Sequence, residues 1–349
     1  MPGPDGPATD PPPPVPVPAA PAVGSERRDG RPPIFIVGLP RSGTTMLATM
    51  LDAHHAIECG PETFFFARLP RDPARLLAPG AWPEPAVDYI CSLRLRDSPI
   101  HQLYGRTPSQ VREALAARPP SLAAMLESLT AARADAAGKQ RWAEKTPRHM
   151  ARVPLIRQTF PDAAIVRVVR DPRAAALSMT RVPFASDSLL VNLYSIERAD
   201  AAAEPHLRQD RWLLTVRFED LVRDPTEELR RVCDFVGEPF DERMLSERDA
   251  TALTAGHEWW KQKASEAPDT SRVEAWKTEM SADDQRAAAV ICHDMLVRHG
   301  YPGAVEPRAT VIVEPDGFVA RHEDAARRLA LAGVVVARRG AGGRGPGRS

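Results

Sequence analysis

Between Pro33 and Leu51 a short apolar run, a glycine-bounded turn and a helix-compatible stretch follow one another without a linker, an order that few folds accommodate. Ile34-Phe35-Ile36-Val37 is rich in β-branched residues and has no polar face, which predicts a strand buried on both sides, as in a parallel sheet. Gly38 to Thr45 then reads G-x-x-x-x-G-T-T, and Thr45 to Leu51 has helical spacing. In a strand–loop–helix unit of this kind, successive backbone N–H groups and the positive end of the helix converge on an anion the size of phosphate. Gly38 and Gly43 let the backbone approach that anion without a Cβ in the way.

The same grammar recurs downstream. Ala163 to Val169 predicts a second buried strand, Asp171-Pro172 a turn, and Arg173 to Met179 a helix. Trp212 to Arg217 predicts a third strand, and Thr226 to Phe235 a helix with Leu229, Val232, Cys233 and Val236 on one face. Residues 108–138 and 281–299 are Ala-rich and helix-prone. Strands alternating with helices predict an α/β fold, a three-layer arrangement in which helices flank a parallel β-sheet. The predicted domain runs over residues 33–303. It follows a proline-rich stretch, 1–32, too poor in large apolar groups to be expected to order, and precedes an extension, 304–349, whose Gly/Arg-rich end reads the same way.

With a formal net charge of +0 over 349 residues, nothing points to nucleic acid or to a polybasic membrane surface, so anion recognition has to be local. Only five of the 46 basic residues are lysine, which makes each lysine more informative than a typical arginine. Cys59, Cys91, Cys233 and Cys292 form no C-x-x-C pair; reduced thiols and a cytoplasmic setting are the expectation. No run reaches the roughly 18 apolar residues of a membrane span. Leu329 to Ala337 is too short, and the first residues do not read as a secretory signal.

A nucleotide-triphosphatase loop continues G-K-S/T, its lysine reaching the β- and γ-phosphates. Here Thr44 stands in that place and the basic group is Arg41, inside the loop. A nucleotide kinase or triphosphatase, or a non-catalytic nucleotide-binding protein, are the competing readings, and the missing lysine counts against the first. The segment Ile34 to Thr45 resembles the 5′-phosphosulfate loop of sulfotransferases that use 3′-phosphoadenosine-5′-phosphosulfate (PAPS), in particular the tyrosylprotein type and related bacterial enzymes. That resemblance implies a P-loop-like sulfotransferase fold, PAPS as co-substrate with no metal required, and donor contacts from Arg41, Ser42, Gly43, Thr44 and Thr45.

Such a donor also carries a 3′-phosphate. Arg170, with its forked guanidinium, and the hydroxyl of Ser178 fall at the positions of the family's 3′-phosphate element, although Arg170-Asp171 can also be read as a helix cap. Cys59-Gly60-Pro61-Glu62-Thr63 resembles the family's Gly-x-Glu-Thr element, which implies Glu62 as the catalytic base; an exposed loop carboxylate is the plainer reading. Trp142 to Pro147 resembles the Lys-x-Pro element, implying that Lys145, with Arg41, stabilises the bridging oxygen as the donor splits. Glu144 and His149 are candidates for orienting this loop. Ser271 to Lys277 resembles a Ser-x-x-x-x-Trp element, which implies Ser271 as a donor contact and leaves open whether Arg272 joins it. Phe64, Phe65, Phe66, Trp259 and Trp260 are candidates either for an acceptor pocket or for the core. The expected acceptor is a small molecule, a glycan or a peptide, and the number of subunits is left open.

Overall fold

The computed structural model describes residues 31–246, 249–253 and 268–304, with the backbone of two further strands, 310–314 and 334–338. The proline-rich residues before 31, Trp259, Trp260 and the Gly/Arg-rich end lie outside the described residues. The chain forms two compact units, one of residues up to Arg170 with Ala202–Val273, the other of Asp171–Ala201 with residues from Glu274 onward.

Along the chain the first elements are β1 (Ile34–Gly38), α1 (Thr44–Asp52), β2 (Ile57–Cys59), α2 (Glu84–Ser92), α3 (Pro108–Ala116), α4 (Leu122–Ala136), β3 (Arg141–Lys145), α5 (Val153–Thr159) and β4 (Ala164–Val169). They are followed by α6 (Pro172–Met179), α7 (Leu189–Leu207), β5 (Leu213–Arg217), α8 (Phe218–Arg223) and α9 (Pro225–Val236). The five strands form one sheet in the order β2-β3-β1-β4-β5, and every pairing is parallel. The fold is α/β, a parallel sheet flanked by helices.

β1 lies at the centre and is buried along its whole length. Because side chains alternate across a strand, Ile34 and Ile36 join Leu47, Leu51, Val166, Val168, Val232 and Cys233 in one core cluster. Phe35 instead meets Phe66, Trp142 and Phe160, with ring centroids 5.6–6.0 Å apart. The expected strands at 34–37, 163–169 and 212–217 and the helices after them are present within a residue or two. The Ala-rich stretch 108–138 is two helices, α3 and α4, because Pro119-Pro120 interrupts it. α3 opens with a capping box, Thr107 accepting from the Gln110 amide while Gln110 accepts from that of Thr107.

β2 and β3 have no counterpart among the expected strands. β3 reads Arg-Trp-Ala-Glu-Lys yet is buried throughout, and each of its charges meets a partner. Arg141 pairs with Glu238 at 3.2 Å and donates to the carbonyls of Pro32 and Val236. Burial pulls its guanidinium below the usual value, while Glu238 opposes that shift.

In the second unit, Asp171 caps α6, accepting from the Arg173 amide at 2.9 Å. The Arg173 guanidinium forks onto both Asp171 oxygens at 2.8 and 2.6 Å and lies 3.8 Å over the Trp276 ring. Trp276 belongs to α10 (Ser271–Glu279), which α11 (Ala282–Ile291) and α12 (His293–Arg298) follow. Thr310–Glu314 and Val334–Arg338 are β6 and β7, a separate parallel pair. All four cysteines are free thiols. Among the described residues no helix is long and apolar enough to cross a membrane.

Glu197 of this unit accepts from the Met295 amide at 3.2 Å, and burial raises its carboxyl from 4.5 to about 7. A carboxyl whose folded value is raised contributes stability fully below its unfolded value, and that contribution is lost as pH rises through the folded one. Glu197→Gln keeps an acceptor for the amide and cannot ionise. Its melting temperature should therefore fall less than the wild type's between about pH 5 and about pH 8; parallel curves in differential scanning fluorimetry would contradict the assignment.

Candidate active site

The candidate residues of the first unit sit at the carboxyl ends of parallel strands, where open α/β sheets place their ligands. Register brings them level: Ile36 is paired with both Lys145 and Val166, and Gly38 with Val168. The loop after β1, the end of β3 and the residue after β4 therefore share one edge.

The loop after β1 folds as its glycines require. A Cβ on Gly38 would lie 2.5 Å from the Val168 carbonyl, and one on Gly43 2.4 Å from the Phe218 ring. Gly43 has φ 98°, a left-handed conformation that disfavours other residues. The Ser42 hydroxyl turns back to the Leu39 carbonyl at 2.7 Å, so it shapes the loop. Gly43 is the N-cap of α1; no side chain caps this helix end and its first turn holds no acidic residue. Thr44 and Thr45 open the helix, the first buried and the second half-buried. An uncapped helix start behind a glycine cradle is suited to an anion.

Arg41 lies in the loop in a left-handed conformation, φ 64°. Burial, and then the positive charge of Arg272, hold its guanidinium below the usual arginine value. Arg170 is buried and uses its guanidinium as a brace: one Nη donates to the Arg41 carbonyl and the other to that of Arg272, both at 3.0 Å, over the Phe218 ring at 4.3 Å. Ser271 is exposed and donates to Asp269 at 2.5 Å. Ser178, half-buried on α6, belongs to the other unit.

Glu62 follows β2 and is buried, not an exposed loop carboxylate. Its Oε1 accepts from Lys145 Nζ at 2.8 Å, and the lysine has no exposed surface. Beside this pair, Glu144 is buried against His149 at 2.8 Å and against the hydroxyls of Thr63 and Thr146 at 2.7 and 2.6 Å. Thr63 and Thr146 are participants that sequence reasoning passed over, although each adjoins a candidate, Glu62 and Lys145. Phe65 and Phe66 belong to the core; Phe64 alone of the three is partly exposed, with the Arg68 guanidinium 4.5 Å over its ring. A hollow of about 470 Å³ around Val153, Arg157 and Trp212 lies elsewhere, beside the amino end of β5.

Residues 32–242, more than half of the chain, match the model of the sulfotransferase family. The chain belongs to that family. It is 27% identical over 219 residues to protein-tyrosine sulfotransferase A of Caenorhabditis elegans, covering 61% of this chain and 51% of that one. It is 28% identical over 300 residues to nodulation protein NoeE of Sinorhizobium fredii, covering 78% and 66%. The match thus spans about half the length of the first relative and two thirds of the second. The fold is also that of the sulfotransferase domain from the Synechococcus olefin synthase, with a TM-score of 0.51 at 22% identity over 75% of this chain and 96% of that one.

The contact between Gly43 and Phe218 gives this family loop a direct test. Gly43→Ala should destabilise the fold by about 1–3 kcal/mol, through its left-handed backbone and the clash with the ring. Adding Phe218→Ala should remove only the clash, so urea denaturation should find the double variant less destabilised than the sum of the two single variants. Strict additivity would mean that the ring does not press on the loop.

Proposed function

We propose that this sulfotransferase moves a sulfuryl group from PAPS to an acceptor hydroxyl, with Glu62 as general base and Lys145 and Arg41 as the cations that receive the leaving charge. The observation that carries this reading is the buried ion pair of Lys145 with Glu62, at the sheet edge that also carries the Arg41 loop. A proton acceptor and a fixed cation side by side are what the reaction needs, because the acceptor must lose a proton while the departing phosphate gains charge.

The residues present fit a phosphosulfate. The cradle at Gly38 and Gly43 has no room for a Cβ, the start of α1 has no side-chain cap, and Arg41 is held below its usual value partly by Arg272. These groups bind the 5′ end of the donor. Arg170 takes the 3′-phosphate and Ser271 closes on the donor. In this reading Arg170 trades one backbone carbonyl for phosphate oxygen or contributes through the positions of Arg41 and Arg272.

In the ion pair Glu62 is a carboxylate, the form that accepts a proton. It takes the hydroxyl proton as the acceptor oxygen bonds to sulfur. The bond from sulfur to the bridging oxygen breaks, and Lys145 and Arg41 stabilise the electron pair left on 3′,5′-ADP. Lys145 therefore has to exchange Glu62 for the bridging oxygen, which frees the carboxylate for the incoming proton. No metal has a role in this scheme. The relatives named protein-tyrosine sulfotransferases make a peptide tyrosine the first acceptor to test, ahead of glycan and small-molecule hydroxyls.

Calorimetry with 3′,5′-ADP and with ATP, without added metal, tests the donor. The expected outcome is clear binding of 3′,5′-ADP in preference to ATP, weakened in Arg170→Ala; a preference for Mg-ATP would overturn the proposal. Glu62→Gln should keep 3′,5′-ADP affinity and lose about 10²- to 10⁴-fold in transfer of labelled sulfate, the usual worth of a general base. Undiminished transfer by that variant would remove Glu62 from the role.

A further inference from the structure

Four successive amides follow Glu62, and each donates to a side chain of one buried cluster. The Thr63 amide reaches Thr146 Oγ1 at 3.1 Å, and the Phe64 amide reaches the same oxygen at 3.3 Å. The Phe65 amide donates to Thr63 Oγ1 at 3.2 Å, and the Phe66 amide to His149 Nε2 at 3.1 Å. All three receiving side chains then pass a proton to one group: Thr63 Oγ1 and Thr146 Oγ1 donate to Glu144 Oε1, and His149 Nδ1 donates to Glu144 Oε2 at 2.8 Å.

The direction of each bond is determined. An imidazole nitrogen that accepts from the Phe66 amide carries no proton, so the ring proton is on Nδ1 and faces Glu144. Each threonine hydroxyl accepts from backbone and has one proton to give, which goes to the carboxylate. The Thr63 amide also reaches Glu144 Oε1 at 3.3 Å, and a side chain that takes donors on both oxygens in this way is an ionised carboxylate. Burial alone would raise the Glu144 carboxyl; the bonds it accepts from His149, Thr146 and Thr63 work in the opposite direction, and its value lies below the ordinary one.

We infer that Glu144 is the positioning residue for Glu62, fixing the backbone of residues 63–66 that directly follows the base. The inference rests on the reading of Glu62 as base. Two features of the loop call for such an anchor. Phe64, in the middle of the four amides, has φ 50°, a conformation that a bulky residue holds only where its surroundings impose it. The next residue along β3 is Lys145, which grips the Glu62 side chain, so consecutive residues of one buried strand hold the backbone and the carboxylate of the same loop.

The test variant is Glu144→Gln, which fills the same space but places an NH₂ where a donor already points. Amides of residues 63–66 should exchange with deuterium faster than in the wild type, with the rest of the sheet unchanged. The affinity for 3′,5′-ADP should be unchanged. Transfer to a tyrosine-containing peptide, counted per 3′,5′-ADP-binding site, should fall about 10- to 100-fold through kcat, the size of effect a misplacement near 1 Å produces. Thr146→Val, which removes the oxygen serving two of the amides, should behave alike even if Glu144→Gln fails to fold, and Thr146→Ser should restore both exchange protection and turnover. Unchanged exchange at 63–66 in Glu144→Gln and in Thr146→Val overturns the inference. So does accelerated exchange with wild-type turnover per binding site. Full transfer by Glu62→Gln would instead overturn the reading on which the inference rests and leave the exchange result standing.

Discussion

The parallel pairing of β1 with β3 on one side and β4 on the other is the constraint on which the site depends. A buried strand with neighbours on both edges has its register fixed by two ladders at once. A slip of one residue would turn Phe35 into the aliphatic cluster and Ile34 and Ile36 into the aromatic one. With register held, the ends of three strands align. The glycine loop leaves β1 where β3 presents Lys145 and where the chain leaves β4 through Arg170. No helix or loop has to carry these groups to one another, so their spacing inherits the rigidity of the sheet.

Several positive groups meet at that edge. Arg170 gives one bond from each terminal nitrogen to a backbone carbonyl, which ties the Arg41 loop to the start of α10. Arg272 sits close enough to Arg41 to lower its affinity for a proton. Carboxylates at the site are held in separate places: Glu62 against Lys145, and Glu144 inside its own set of donors. Backbone amides, an uncapped helix start and guanidinium groups thus shape a local field of one sign, which the proposed donor would meet. In a partly buried setting such a field acts more strongly on an anion than it would in water.

What was legible in the sequence follows from this arrangement. Ile34 to Val37 and Ala163 to Val169 are apolar on both faces, as a central parallel strand must be, and glycines and an Asp-Pro turn mark where the chain leaves the sheet. The loop of residues 38–45 could be read as an anion cradle because its chemistry is local. β3 could not be read, because Arg141, Glu144 and Lys145 look like solvent-facing residues in a local window. Their partners are remote: Glu238 is 97 positions from Arg141, and Glu62 is 83 from Lys145. Burial of a charged strand is decided by tertiary pairing, which no periodicity reports. For the same reason Arg170 could be recognised as special from its place after a strand, whereas its grip on two carbonyls could not.

The scarcity of lysine illustrates how local and tertiary information combine. Lys139 precedes β3 and Lys145 ends it, and each meets a carboxylate in or just after β2: Lys139 pairs with Glu58 at 3.1 Å and Lys145 with Glu62 at 2.8 Å. Glu58 also takes the Arg133 guanidinium at 2.8 Å, so that cluster is satisfied from several sides and ties α4 to the edge of the sheet. The outer pair of strands is thus fastened at its amino end by Glu58 and at its carboxyl end by Glu62. Only the second fastening lies at the edge that carries the glycine loop. A contact that holds the fold at one end of β3 is repeated at the other end, where the proposed reaction would use the same ammonium–carboxylate pair for proton and charge transfer.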